Sequence, residues 1–270
     1  MNPNVQDLKW GSISWVQIPD DEPTYYNEQT VPHGDVHIHW YDSEAIGDTR
    51  RMYIYTPPGY DDGADKHYPV LYLLHGAGQN ESLWTFLGRA NVILDNLIAA
   101  GKAEPMIIVM PYGHLSRPYD PTERERRGEA FELFGQDLLD QIVPYIESRY
   151  RVRVDRDHRA LAGLSMGAAQ TLQIGLSHLE LFGWIGAFSG PTHTIDVDKL
   201  VANTKASGHP LHLLWVGCSE SERLFDMNQD LDKRLSEADL PHIWFTGPGG
   251  HSWVFWRPSL HDFAQRIFKA

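Results

Sequence analysis

The chain has 270 residues, 42% of them hydrophobic and 11% aromatic, with 36 acidic against 23 basic side chains and a formal net charge of −13. That length is one large domain or two small ones and can bury a sizeable core, and the acidic balance argues against a sequence-independent nucleic-acid binder, which needs a basic face for phosphates. A single cysteine, Cys218, excludes an intrachain disulfide framework and a multi-cysteine zinc site, and no apolar run approaches the roughly 18 to 20 residues that span a bilayer.

Met1 to Asp20 lacks the basic and apolar regions of a secretory signal, so the chain as given is expected to be soluble and without a signal peptide. Residues 1–34, polar, proline-dotted and aromatic, read as an extension packed on a single domain spanning 35–270. No repeat, low-complexity tract or long linker divides that domain. The alternation in Asp35 to Tyr41 predicts a strand, and Arg51 to Tyr55, closed by Pro57-Pro58-Gly59, predicts a second. With no helix between them, the two form an antiparallel hairpin at a sheet edge.

From Tyr68 onward, short apolar runs alternate with helical periods, the pattern of a mostly parallel sheet covered on both faces. The runs are 70–74, 106–110, 160–164, 184–188, 211–216 and 242–245. Apolar residues at three- and four-residue spacing predict helices over 90–100, 134–150, 166–178, 228–238 and 256–268. The expected fold is α/β, with about eight strands. Pro111 to Ala130 fits neither period and reads as a long loop. Its charge run Glu123 to Arg127 is expected to be a solvated surface, the alternative being a lid over a pocket.

Gly163-Leu164-Ser165-Met166-Gly167 matches G-x-S-x-G in the context that gives the motif meaning. An apolar strand runs in and a helix beginning with small residues runs out. A tight, strained turn lifts the serine hydroxyl above the sheet, and glycines are needed on both sides where a Cβ would clash. A serine hydroxyl needs a positioned base, and the chain order of such folds places a histidine downstream after an acid. Of the histidines past Ser165, only His251 lies in a loop just after the last predicted strand, within Gly249-Gly250-His251-Ser252-Trp253. The acid belongs after the strand 211–216, where Glu220, Glu222 and Asp226 compete and spacing does not separate Glu220 from Glu222. Ala77, in His75-Gly76-Ala77-Gly78 after the run 70–74, and Met166 are the expected amide donors to an oxyanion. Each such donor contributes on the order of 3 kcal/mol to transition-state stabilisation. His75 is expected to brace its loop by hydrogen bonding.

Tyr55-Thr56-Pro57-Pro58-Gly59-Tyr60, Tyr68 to Gly76, Gly163 to Gly167 and Gly249 to Trp253 together resemble the putative-esterase group of α/β-hydrolases. That group includes the feruloyl and acetylxylan esterases of carbohydrate esterase family 1, enterobactin-type esterases, S-formylglutathione hydrolases and mycolyltransferases. The resemblance covers residues 35 to 268 and is nearest to the feruloyl esterase branch. It implies an α/β-hydrolase catalytic domain over 35–270 and a lidless or lightly covered serine esterase without cofactor, of a kind commonly exported. In that branch the strand before the acid ends in a glycine-rich turn with an aspartate. An ungapped overlay puts the aspartate at Glu222, a gapped one at Glu220, and Ser219 stands where the branch has a glycine.

The expected function is hydrolysis of acylated carbohydrate or hydroxycinnamoyl esters through an acyl-enzyme on Ser165, with His251 as base and Glu222 holding it. The alternatives are another esterase, thioesterase or acyltransferase of the same fold, and an inactive binding module. Trp84, Tyr112 and Trp253, together with Tyr119 and Trp256, are candidates to stack on an aromatic acyl group or sugar. His33, His37 and His39 lack the further placed ligands of a metal site, and His37 and His39 read as one face of an edge strand. Cys218 reads as a small buried residue. The expected partner is a small-molecule or polysaccharide ester, with no nucleic acid, membrane, metal or cofactor.

Overall fold

The computed structural model describes residues 24–269 apart from 64, 118 and 194, together with the backbone of residues 5–8 and 11–14. Val5–Leu8 (β1) and Gly11–Ser14 (β2) pair as a separate antiparallel hairpin. Residues 1–4, 9–10 and 15–23 of the expected extension lie outside the described residues. From Thr24 the chain runs along the helix Ala90–Ala99. There Asn96 Nδ2 donates to the carbonyls of Tyr25 and Asn27, and the Gly34 amide donates to Asp95 Oδ1.

Eight further strands form one sheet: Asp35–Ser43 (β3), Asp48–Thr56 (β4), Val70–Leu74 (β5), Ile107–Pro111 (β6), Arg159–Leu164 (β7), Trp184–Phe188 (β8), Leu213–Ser219 (β9) and Ile243–Gly247 (β10). Their spatial order is β10-β9-β8-β7-β5-β6-β4-β3. β5 to β10 are parallel, while β3, β4 and β6 pair antiparallel at one edge, as the hairpin reading anticipated. The helices are Leu83–Phe86 (α1), Ala90–Ala99 (α2), Arg127–Gln136 (α3), Val143–Arg149 (α4), Met166–Ser177 (α5), Val197–Ser207 (α6), Phe225–Glu237 (α7) and Trp253–Ala264 (α8).

Alternate residues of the central strands enter different cores, which is why these strands read as unbroken apolar runs. Leu71 and Leu73 of β5 pack with Ile93, Leu97, Phe255, Leu260 and Phe263 of α2 and α8. Val70, Tyr72 and Leu74 pack with Phe134, Leu138, Ile146 and Ile174 on the other face. A third cluster joins Ile185 and Val216 to Leu200, Leu231 and Leu235 beneath α6 and α7.

Three features differ from the sequence reading. The helix expected over 134–150 begins at Arg127 and is interrupted by one π-helical stretch, Asp137–Ile142, before α4. Pro144, near the start of α4, lacks the N–H that would continue the ladder. The segment 111–130 is therefore not all loop: it holds a 3₁₀ turn, Pro121–Arg124, and the first turn of α3. α6 has no counterpart in the sequence reading, although its ends are marked. Asp196 caps it by accepting the Lys199 amide, and Gly208 leaves it at φ 66°. Finally, β9 begins at Leu213, so His212 stands before the strand, stacked on Trp184 at 4.9 Å.

The strand order reverses at β5: β6 lies on one side of it and β7 on the other. The loops leaving β5, β6 and β7 open on the same carboxyl edge, the crevice in which open α/β sheets bind ligands. Close approach there depends on two glycines. A Cβ on Gly167 would lie 2.6 Å from the His75 carbonyl, and one on Gly163 would lie 2.6 Å from the Gly167 backbone. Gly167→Ala is expected to destabilise the fold by about 1–3 kcal/mol, as overpacking against fixed backbone does. The urea midpoint measures this, and a midpoint equal to wild type would contradict the contact.

Candidate active site

Ser165 joins β7 to α5 at φ 54°, ψ −112°, a conformation that costs a non-glycine residue about 1–3 kcal/mol. It is held by hydrogen bonds from its own amide to the Phe188 carbonyl at 2.8 Å and from the Ala169 amide to its carbonyl at 3.2 Å. The strained turn sets the hydroxyl at the N-terminus of α5, where free N–H groups and the helix dipole provide positive potential.

His251 lies in the loop between β10 and α8, with its side chain 34% exposed. The Ser165 hydroxyl donates to its Nε2 at 2.9 Å, and its Nδ1–H donates to Glu222 Oε2 at 2.9 Å. The carboxylate accepts, so it selects the ring tautomer that leaves Nε2 free for the serine. Trp256 meets the imidazole edge to face at 5.0 Å. Glu222 is buried, and its other oxygen accepts the Cys218 thiol. Burial alone would raise the Glu222 carboxyl, but the hydrogen bonds from His251 and Cys218 outweigh it and hold it below the usual range. Burial and the adjacent carboxylate push the Cys218 thiol up, which keeps it protonated as a donor.

Glu220 is exposed and turned elsewhere, accepting from Thr246 Oγ1 at 2.8 Å. The geometry thus brings Ser165, His251 and Glu222 together and leaves Glu220 out. Ser219 has a definite task in this turn. Its hydroxyl donates to the Gly247 carbonyl at 2.9 Å and accepts the Gly250 amide at 2.8 Å, tying the turn that carries the acid to the loop that carries His251.

Ala77, Met166 and Ser165 line one cavity of about 220 Å³, walled also by Gly113, His114, Tyr119, Glu123, Arg127, Phe131, Gln170, Pro191, Arg223 and Leu224. The amides on either side of Ala77 are taken, Gly76 by Gln79 Oε1 at 2.9 Å and Gly78 by His114 Nε2 at 3.0 Å. His75 braces its loop as expected: Nδ1–H donates to the Gly76 carbonyl and Nε2 accepts the Gly113 amide, each at 2.9 Å. That pattern requires a neutral ring, and burial, with His114 close by, lowers the His75 pKa to about 3.

The aromatic candidates are placed differently from the expectation. Trp84 is buried in α1, where its Nε1–H donates to the Leu74 carbonyl at 3.0 Å. Tyr112 is buried and its hydroxyl donates to the Ser116 carbonyl at 2.9 Å. Both rings complete the core beneath the loops, because an indole N–H or phenol within reach of a buried carbonyl is stabilised there. Trp253 is half-buried between the edges of Trp84 and Trp256 and is not part of the cavity wall; Trp256 is buried. Tyr119 does line the cavity, its ring 4.1 Å from that of His114. His39 contacts the hydroxyls of Tyr145 and Tyr150, which accounts for that face of β3. Among the described residues no cluster of three or more His, Cys, Asp or Glu is arranged to hold a metal. Likewise no described helix is long and apolar enough to cross a membrane.

The sequence reading did not find the strap that forms one wall. After β6, the buried Arg50 guanidinium donates to the carbonyls of Tyr112, His114 and Leu115, and Gln170 Nε2 donates to that of Gly113. Glu123 folds back to accept the Leu115 and Ser116 amides at 3.2 and 2.8 Å and faces His114 Nδ1 at 3.4 Å. One end of the charge run is therefore structural rather than solvated. Burial alone would raise the Glu123 carboxyl, but His114 and Ser116 outweigh it and lower its pKa from 4.5 to about 2. A carboxyl depressed in this way contributes stability that is complete above pH 4.5 and lost as pH falls toward about 2. Glu123→Gln is thus expected to lower Tm at neutral pH, with the gap to wild type closing across that window in thermal melts. A gap unchanged down to the lower limit would contradict the assignment.

The model of the family described as "Putative esterase" matches residues 43–267. An endo-1,4-beta-xylanase/feruloyl esterase of Xylanibacter ruminicola is 33% identical over 268 residues, covering 96% of this chain and 35% of the relative. The chain thus spans about a third of that protein's length. An acetyl esterase of Caldicellulosiruptor saccharolyticus is 23% identical, covering 72% of this chain and 81% of the relative. Among solved structures, a carbohydrate esterase family 1 ferulic acid esterase of Anaeromyces mucronatus, in complex with ferulic acid, superposes with a TM-score of 0.78. It is 26% identical over 94% of this chain and 98% of that one. The sheet order, the strained Ser165 turn and these likenesses agree, and the chain belongs to the esterase family of α/β-hydrolases that includes the feruloyl esterases of carbohydrate esterase family 1.

Proposed function

We propose that the chain is a serine carboxylic ester hydrolase acting on acylated carbohydrate or hydroxycinnamoyl esters, of the feruloyl type, through an acyl-enzyme. The observation that carries this reading is the continuous hydrogen-bond chain from the Ser165 hydroxyl through His251 to the buried Glu222 carboxylate, opening on a cavity at the sheet's switch point. Support for the acyl class comes from a relative named for feruloyl esterase activity and from a structural neighbour that holds ferulic acid.

In this mechanism His251 Nε2 takes the Ser165 proton as Oγ attacks the ester carbonyl. Glu222 holds the ring in the right tautomer and stabilises the imidazolium that forms, a role suited to a carboxylate kept ionised. The carbonyl oxygen, now an oxyanion, is held by the amides of Ala77 and Met166. The imidazolium gives its proton to the departing alcohol. Water then enters, loses a proton to His251, attacks the acyl carbon and releases the acid, and Ser165 regains its proton.

Purified wild type and variants assayed on methyl ferulate test the reading. Ser165→Ala is expected to lower kcat by about 10⁴-fold or more, and Glu222→Gln by about 10³- to 10⁴-fold, with Glu220→Gln within about twofold of wild type. Wild-type activity in Ser165→Ala would end the proposal, and equal losses in the two glutamate variants would overturn the role given to Glu222.

A further inference from the structure

The cavity that holds Ser165 also contains two guanidinium groups that form no ion pair with any described residue. Arg127 and Arg223 both line it, and both are exposed toward it. They approach from separate elements. Arg127 shares one face of α3 with Ala130 and Phe131, at the three- and four-residue spacing of a helix face, and Arg223 follows Glu222 in the turn between β9 and α7. Neither makes a hydrogen bond, ion pair or ring contact with another described residue.

Several other arginines of this acidic chain have a carboxylate partner. Arg117 pairs with Glu81, Arg126 with Glu129, Arg234 with Asp230 and Arg266 with Asp262. Of the nearby carboxylates, Glu123 lines the same cavity but is held by the strap and His114, Glu222 is held by His251 and Cys218, and Glu129 pairs with Arg126. The rest of the wall mixes apolar residues, Phe131, Met166 and Leu224 among them, with polar ones that include Gln170 and the Glu123 carboxylate. Two fixed positive charges beside a partly apolar pocket raise the local concentration of anions against the repulsion of the whole chain. The planar fork of a guanidinium also matches a carboxylate.

We infer that Arg127 and Arg223 form an anion subsite that selects esters carrying a carboxylate close to the scissile bond, on the acyl group or on the sugar that leaves. The inference rests on the esterase reading of the same cavity and deepens it by naming the substrate's charge. Arg127 and Arg223 are specificity residues here, since the chain Ser165–His251–Glu222 is complete without them.

The test compares matched ester pairs in two arms: ferulate esters of a uronic acid against the corresponding neutral sugar, and hydroxycinnamoyl methyl esters with and without a carboxylate on the acyl ring. The readout is the ratio of kcat/KM, charged over neutral, in wild type, Arg127→Gln, Arg223→Gln and the double variant. Wild type is expected to favour the charged ester by about tenfold in one arm, the ratio falling toward one in the double variant and shrinking with added salt. The arm that responds identifies whether the carboxylate lies on the acyl or the alcohol side. Ratios near one in both arms for wild type, or a ratio unaltered by the double substitution, would overturn the subsite.

Calorimetric binding of the same esters to Ser165→Ala separates this result from the esterase reading, because it needs no turnover. Tighter binding of the charged ester that disappears when Arg127→Gln and Arg223→Gln are added supports the subsite whether or not hydrolysis depends on Ser165. Equal binding of charged and neutral esters counts against it.

Discussion

Everything in the site depends on how closely the turn at Ser165 can approach the end of β5. The backbone between Gly163 and Gly167 presses against Leu74 and His75 at distances that no Cβ would permit. That contact sets the serine beside the loop carrying Ala77, so that residues following two different strands share one cavity. The positive φ at Ser165 is the local cost of this approach, and the surrounding sheet, which takes the Ser165 amide onto Phe188, fixes it in place.

Around that contact the molecule fixes each side chain of the site through a second one. Glu222 orients His251 and is itself held by the Cys218 thiol, while Ser219 ties the two loops that carry them. Arg50 and Gln170 anchor the strap after β6 by its carbonyls, and His75 and His114 accept amides from neighbouring loops, which demands an unprotonated nitrogen at each contact. The histidines so abundant in this chain are thus used in different protonation environments: one exposed ring faces the serine, while buried rings serve as acceptors in the walls.

The electrostatics of the pocket run against those of the chain. With a net charge of −13 the protein repels anions at long range, and only local positive groups can reverse that inside a cleft. The α5 N-terminus contributes positive potential beside the Ser165 hydroxyl. Arg127 and Arg223, unlike the paired arginines elsewhere, leave their charge available to whatever enters.

Much of this was legible in the residues themselves. The apolar runs located the parallel strands because both faces of the sheet are covered, and the hairpin at the edge followed from two alternating segments without a helix between them. The glycines around Ser165 and those before His251 marked their turns, since close approach and positive φ restrict the residue type. What lay beyond local pattern was anything set by partners distant in the chain. Glu220 and Glu222 are equivalent in spacing, and only the burial of one against His251 and Cys218 distinguishes them. Trp84 and Tyr112 looked like surface aromatics of loops until packing gave their polar atoms buried carbonyls. The charge run 123–127 was divided by folding, Glu123 turning inward to the strap and Arg127 facing the cavity. The sequence by itself determined the order of elements and the serine and histidine that the turns display, because those depend on backbone restrictions a residue carries with it. The choice of acid, the walls of the pocket and the charge inside it were decided by tertiary structure, because burial and pairing are properties of neighbours.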